Sequence, residues 1–169
     1  MDPHGHSVIA VSDALPPPLP AVLVSACLCG VACNHEGRAA RRDVRVELAG
    51  RYRVIPVCPE VAGGMTTPRV AAEIVGGDGH DVVVGTARVL DRDGTDVTRE
   101  YLRGATQAVD VARAAGVERA VLKARSPSCG SSHVYDGTFT RTLHEGAGVT
   151  AAALRAAGVV VTSDDDELP

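Results

Sequence analysis

A chain of 169 residues with 17 Lys and Arg against 21 Asp and Glu carries a net charge of −4 and fits one domain. With no basic stripe, three Tyr, one Phe and no Trp, it lacks both the phosphate-neutralising and the base-stacking surfaces of a nucleic-acid binder, and its core must be made of small aliphatic side chains. No run approaches the roughly 20 apolar residues of a bilayer span, so a membrane protein is excluded and a cytoplasmic one is expected, with its five cysteines kept as thiols or metal ligands in preference to disulfides.

Residues 1–19 lack the basic start of a secretory signal, and the apolar stretch is broken by Asp13 and the prolines before Ala21, so a disordered Pro-rich arm is expected. One α/β domain is expected over 20–163, then an acidic tail over 164–169 with Asp164, Asp165, Asp166 and Glu167 as a solvated end. Ala21–Ala26 is a β-branched apolar run that leads directly into Cys27, and Tyr52–Val57 is a second that leads into Cys58; both read as strands. The turn Gly76–Gly77–Asp78–Gly79 lacks the spacing of a dinucleotide fingerprint and reads as a surface turn.

Thr98 is a candidate N-cap for a helix to about Ala115, with Tyr101, Ala105, Ala108, Val109 and Ala112 on one face and Gly116 at its end. Ala120–Ala124 gives a third strand with Lys123 inside it, and Cys129 lies in the loop beyond. His133–Tyr135 reads as a short strand, Gly148–Ala157 as an Ala-rich helix and Val159–Val161 as a last strand. The alternation implies a mostly parallel, Rossmann-like central sheet with helices on both faces. Such a sheet places its site at the carboxyl ends of the strands.

Cys27, Cys58 and Cys129 each come after a predicted strand, in loops rich in Gly, Pro and Ser, so a parallel sheet brings them to one rim. Soft thiolates select zinc, copper(I) or iron–sulfur clusters. The local set Cys27, Cys29 and Cys33 has C-x-C-x₃-C spacing, which matches neither the usual zinc patterns nor ferredoxin runs. Three distant ligands would leave one iron of a four-iron cluster open.

The strings VSACLCGVACNHEG, CPEVAGGMTTPR, AAEIVGG, VLKARSPSCGSSHVYDGTF and GVTAAALRAAGVVV, in this order over about residues 22–163, resemble the thiouracil desulfurase family. The resemblance implies a [4Fe-4S] cluster held by Cys27, Cys58 and Cys129 with one open iron. It also implies non-redox desulfuration of a small thiolated heterocycle: the thiocarbonyl sulfur meets the soft iron, water attacks the carbon, and sulfur leaves as sulfide. Glu60, two residues past Cys58, is then the candidate base for that water; Ser126 and Ser128 relay a proton or hold the heterocycle's edge; Lys123 stabilises developing charge. Each has a plainer role open to it, Glu60 in a pair with Arg69, the serines in the SPS turn, and Lys123 in any pairing that avoids an isolated buried charge.

Two departures from the family pattern bear on the ligand count. Cys29 stands where leucine is usual, and Asn34–His35 replace an Arg–Tyr pair that often comes after the cysteine at position 33. A fourth ligand from Cys29 or Cys33 would close the open iron. Two other functions fit the residues: a metal-free enzyme with Cys129 as nucleophile activated by His133 or His35, and a carrier that hands a cluster or sulfur to a partner. Oligomeric state is not legible in the sequence.

Overall fold

In the computed structural model, which describes residues 17–169, β1 (Ala21–Ser25) is buried along its whole length because sheet and helices enclose it. The arm expected over 1–19 therefore lies, for 1–16, outside the described residues. After β1 come a 3₁₀ turn (Ala26–Cys29), α1 (Arg45–Leu48), β2 (Arg53–Val57), α2 (Pro59–Ala62), β3 (Ala72–Val75), α3 (Gly79–Val84) and β4 (Arg88–Asp91). The second half holds α4 (Thr98–Ala114), β5 (Arg119–Leu122), β6 (His133–Tyr135), β7 (Leu143–Glu145), α5 (Val149–Ala156) and β8 (Val160–Ser163).

β2, β1, β5 and β8 form, in that order, a four-stranded parallel sheet. Its two faces bury different partners. Leu23, Ala120 and Leu122 pack against Val109 and Ala112 of α4 and Ala151 and Leu154 of α5, while Val22, Val24 and Val121 pack against Leu28, Val44 and Leu48. This is the expected α/β architecture. Ser25 pairs with Val57, and Leu122 with Ser163, so the three strand exits that precede Cys27, Cys58 and Cys129 are neighbours. Among the described residues no helix is long and apolar enough to cross a membrane.

Two antiparallel pairs, β3 with β4 and β6 with β7, add a second layer of structure at the carboxyl side. Of these strands only β6 was expected. The others are three or four residues long, too short for alternation to show, and β7 carries a His and a Glu.

Four local expectations are corrected. Thr98 does not cap α4: it is the first helical residue, its hydroxyl accepts from Val89 N–H at 2.9 Å, and its own N–H donates to Asp96. Lys123 stands one residue beyond β5, because the strand stops at Leu122 where the sheet pairing ends. The Gly76–Gly79 segment is more than a surface turn: it joins β3 to α3, with Asp78 as the N-cap of a complete capping box. The acidic end is solvated at Asp165, Asp166 and Glu167 as expected, but Asp164 is only 7% exposed and Leu168 packs on the inner cluster of Val22, Val24 and Leu28.

Close backbone packing sets the two loops that matter most. Gly104 of α4 lies so near the Pro59 carbonyl that a Cβ would collide with it, which seats α2 directly on α4. A Cβ on Gly148 would come within 2.5 Å of the Ser128 carbonyl, so the start of α5 lies flush against the loop that carries Cys129.

Candidate functional site

A cavity of about 590 Å³ opens beyond the carboxyl ends of β2, β1 and β5. Cys27, Cys33, Cys58 and Cys129 all line it, and all five cysteines of the chain are free thiols. Each of the three expected ligands reaches it by a different local device. Cys27 sits on the 3₁₀ turn that comes immediately after β1. Cys58 is the N-cap residue of α2, with Pro59 at the first helical position, where its missing N–H costs nothing. Cys129 is held by a serine turn: Ser126 Oγ accepts from the N–H groups of Ser128 and Cys129, both at 3.1 Å.

The structure separates the two remaining cysteines. Cys29 is 3% exposed among Leu28, Val44 and Leu48 and does not line the cavity, whereas Cys33 does. The Cys33 carbonyl is 3.7 Å from Cys58 Sγ.

Burial, then the charges of Cys33 and Cys58, pushes the Cys27 thiol up to about 12. Burial and the neighbouring Cys58 do the same to Cys33, and burial chiefly to Cys129, each to about 12. Such thiols stay protonated at neutral pH unless a cation replaces the proton, which is what metal coordination does. The same shift weakens the metal-free alternative, because a nucleophilic cysteine needs thiolate. His133, one of its proposed activators, is exposed, turns Nδ1 to Ser132 Oγ at 3.2 Å and lies outside the cavity lining. Among the described residues no three His, Cys, Asp or Glu side chains converge as a single ion requires. Thiols spread around one cavity suit a larger, sulfur-preferring group that several of them could hold together, and so fit an iron–sulfur cluster.

Glu60 and Lys123 also line the cavity, and each has a partner. Arg69 Nε donates to Glu60 Oε2 at 2.5 Å, with the two side chains 5% and 14% exposed, and Arg69 Nη2 donates to the Cys33 carbonyl at 3.0 Å. Tyr101 shares Glu60 through its hydroxyl, and burial together with that carboxylate raises the phenol well above its ordinary range. Lys123 Nζ donates to Asp164 Oδ2 at 2.7 Å. Ser126 lines the cavity; Ser128 does not, being fully buried with its hydroxyl 2.9 Å from Thr150 Oγ1.

Four further residues were not singled out as site residues from the sequence. Ser25 ends β1, accepts from Lys123 N–H at 2.9 Å and hydrogen-bonds the Cys129 thiol. Its signal was a hydroxyl in an otherwise aliphatic strand. Tyr101 read as one more apolar helix position. Glu73 accepts from Gly137 and Phe139 N–H, both at 3.0 Å, and so pins the loop that brings Phe139 to the cavity. No local pattern links positions 73 and 139.

A model of the 2-thiouracil desulfurase family matches residues 22–166. The uncharacterized protein YbbK of Bacillus subtilis strain 168 is 41% identical over 145 residues, which are 86% of this chain and 96% of that protein. A solved structure of TudS, described as a [4Fe-4S]-dependent thiouracil desulfidase, superposes with a TM-score of 0.75 at 38% identity, covering 86% of this chain and 91% of that one.

Proposed function

This chain belongs to the 2-thiouracil desulfurase family, and from that premise we propose that its cavity strips sulfur from a small thiocarbonyl heterocycle, with Cys27, Cys58 and Cys129 holding a [4Fe-4S] cluster. The products are the oxo heterocycle and sulfide, and no electrons change hands. The observation that carries the reading is the meeting of strand-end thiols with a carboxylate and an ammonium, Glu60 and Lys123, in a single cavity. When bound, the cluster supplies a soft Lewis-acid iron that prefers sulfur to oxygen and makes it a competent leaving group.

The chain's own residues supply the rest. Glu60 takes a proton from the attacking water, while Arg69 and Tyr101 fix its carboxylate in one orientation. Lys123, held by Asp164 at 2.7 Å, offers its remaining N–H donors to charge developing on the heterocycle. Ser126 already accepts two backbone N–H groups, so its own hydroxyl hydrogen is available to donate into the cavity. Ser128 acts through Thr150, as a positioning residue for the Cys129 loop. A carrier would have to expose its cargo, yet Cys129 is only 5% exposed, which favours turnover inside the cavity.

Iron and acid-labile sulfide per chain after anaerobic purification test the ligand set. About four of each is expected in the wild type and in Cys29→Ala, with loss in Cys27→Ala, Cys58→Ala and Cys129→Ala. Full iron in all three of those variants, or none in the reconstituted wild type, would sink it.

A further inference from the structure

The open corner of a three-ligand cluster would face the rest of the cavity lining, and in this chain that lining includes a fourth thiol. Cys33 lines the cavity together with Cys27, Cys58 and Cys129. The Cys58 thiol donates to the Cys33 carbonyl at 3.7 Å, and Cys33 lies close enough to Cys27 for its charge to raise that thiol. Cys29, the other candidate, is enclosed in the aliphatic core and takes no part.

The four thiols differ in how they are carried. Cys27, Cys58 and Cys129 are each built onto a turn or helix start next to the sheet. Cys33 belongs to no helix or strand; its loop runs through exposed Gly30, Val31 and Ala32 and is closed locally by Asn34, whose Oδ1 accepts from Glu36 and Arg38 N–H at 3.0 and 2.7 Å. Arg69 is one of its ties to the body of the protein, beside the Cys58 thiol, which is 3.7 Å from the same Cys33 carbonyl. Through Nη2 it holds the Cys33 carbonyl, and through Nε it holds Glu60, so the thiol loop and the acid share one arginine.

We infer that Cys33 is a fourth, exchangeable ligand that closes the cluster until substrate arrives. The inference rests on the three-cysteine cluster proposed above. On exchange, the Cys33 thiolate leaves its iron with the bonding electron pair and takes up one proton, while the neutral thiocarbonyl sulfur lends a lone pair to the vacated position. The iron's oxidation state is unchanged. A loop-borne thiolate suits this role because its departure disturbs no strand or helix, and it protects an otherwise bare iron from oxidants between turnovers.

The test compares anaerobically prepared holoprotein of the wild type, Cys33→Ala, Cys33→Ser and Cys29→Ala. All are expected to hold about four irons per chain. Limited oxidation with ferricyanide, monitored by the electron paramagnetic resonance signal of the three-iron form, should remove the unique iron at least about tenfold faster in Cys33→Ala than in the wild type or Cys29→Ala, the lower end of what even an outer partner of a metal ligand contributes. Hydrosulfide, as a small sulfur probe, should perturb the spectrum of the reduced cluster at lower concentration in Cys33→Ala. Cys33→Ser, with a poorer oxygen ligand of the same shape, should fall between. Equal oxidation rates and equal probe response in the wild type and Cys33→Ala would overturn the inference. So would loss of the whole cluster from both Cys33 variants, which would make Cys33 a fixed structural ligand. A wild type that takes up no cluster is a separate result, and rejects the three-cysteine reading itself.

Discussion

Lys123 Nζ stands 2.7 Å from Asp164 Oδ2, and the other oxygen of that carboxylate accepts the Ala124 N–H at 2.6 Å. One residue past β8 thus holds the first two residues past β5, at the rim where the cavity opens. Asp164→Ala would leave the Ala124 N–H and the ammonium without their shared acceptor. A loss of about 2 kcal/mol is expected from urea unfolding, within the range for hydrogen bonds to charged groups. Asp164→Asn keeps an acceptor for Ala124 and should lose about half as much. Equal stability of Asp164→Ala and the wild type would remove this carboxylate from any structural role.

Glu60→Gln keeps the size and a hydrogen-bonding oxygen for Arg69 but has no base. Iron content should be unchanged, and sulfide release from 2-thiouracil should fall by about 10²-fold or more, as for loss of a general base. Turnover within a few-fold of wild type would assign the proton to another group and leave Glu60 as the partner of Arg69.

Gly148→Ala tests whether helix packing positions a ligand. Its Cβ would fall 2.5 Å from the Ser128 carbonyl oxygen and 2.9 Å from Cys129 N, both backbone atoms that cannot step aside alone. The Cys129 loop must move, so the variant should retain markedly less iron than Ser128→Ala. Ser128→Ala leaves Thr150 without its 2.9 Å partner and should cost about 1–3 kcal/mol with the cluster kept. Wild-type iron retention in Gly148→Ala under chelator challenge would contradict this coupling.

Asp78 contributes pH dependence to the second layer. Burial raises its pKa, but the N–H groups of Ala147, His80 and Asp81 lower it further, so its carboxyl titrates below the ordinary aspartate range. A depressed folded pKa means stability that is complete above the unfolded value and disappears as pH falls through the folded one. Asp78→Ala should therefore cost about 1 kcal/mol near neutral pH. The gap from wild type should shrink in acid. An unchanged gap at about pH 2, below the ordinary aspartate value, would show that the cap works without its charge.

Much of the site was legible because it depends on local order along the chain. A strand exit closely followed by cysteine puts that cysteine at a carboxyl edge whatever else the fold does, as β2 does with Cys58 at once and β1 with Cys27 after one intervening residue. The parallel sheet was implied by strands alternating with helices. The roles of single polar residues were less legible. Lys123 looked like a strand residue needing a counter-charge, and the chain offered many carboxylates; Asp164 answered from a tail that composition alone marks as solvated. Burial of one acid in an acidic run is decided by which backbone N–H it meets, here that of Ala124.

Residue order alone established the fold class, the motif strings that place the chain in its family, and the edge to which three cysteines belong, because these depend on periodicity and on the residue type at each strand exit. Tertiary structure decided that β2, β1 and β5 are neighbours and that Cys33 faces the cavity while Cys29 faces the core. It also gave Glu60 to both Arg69 and Tyr101. The physical reason is that the short stretch from Cys29 to Cys33 turns at Gly30, which takes a φ of 78° and reverses the chain. Such a reversal sends two nearby thiols into opposite environments, and spacing alone does not encode which of them goes where.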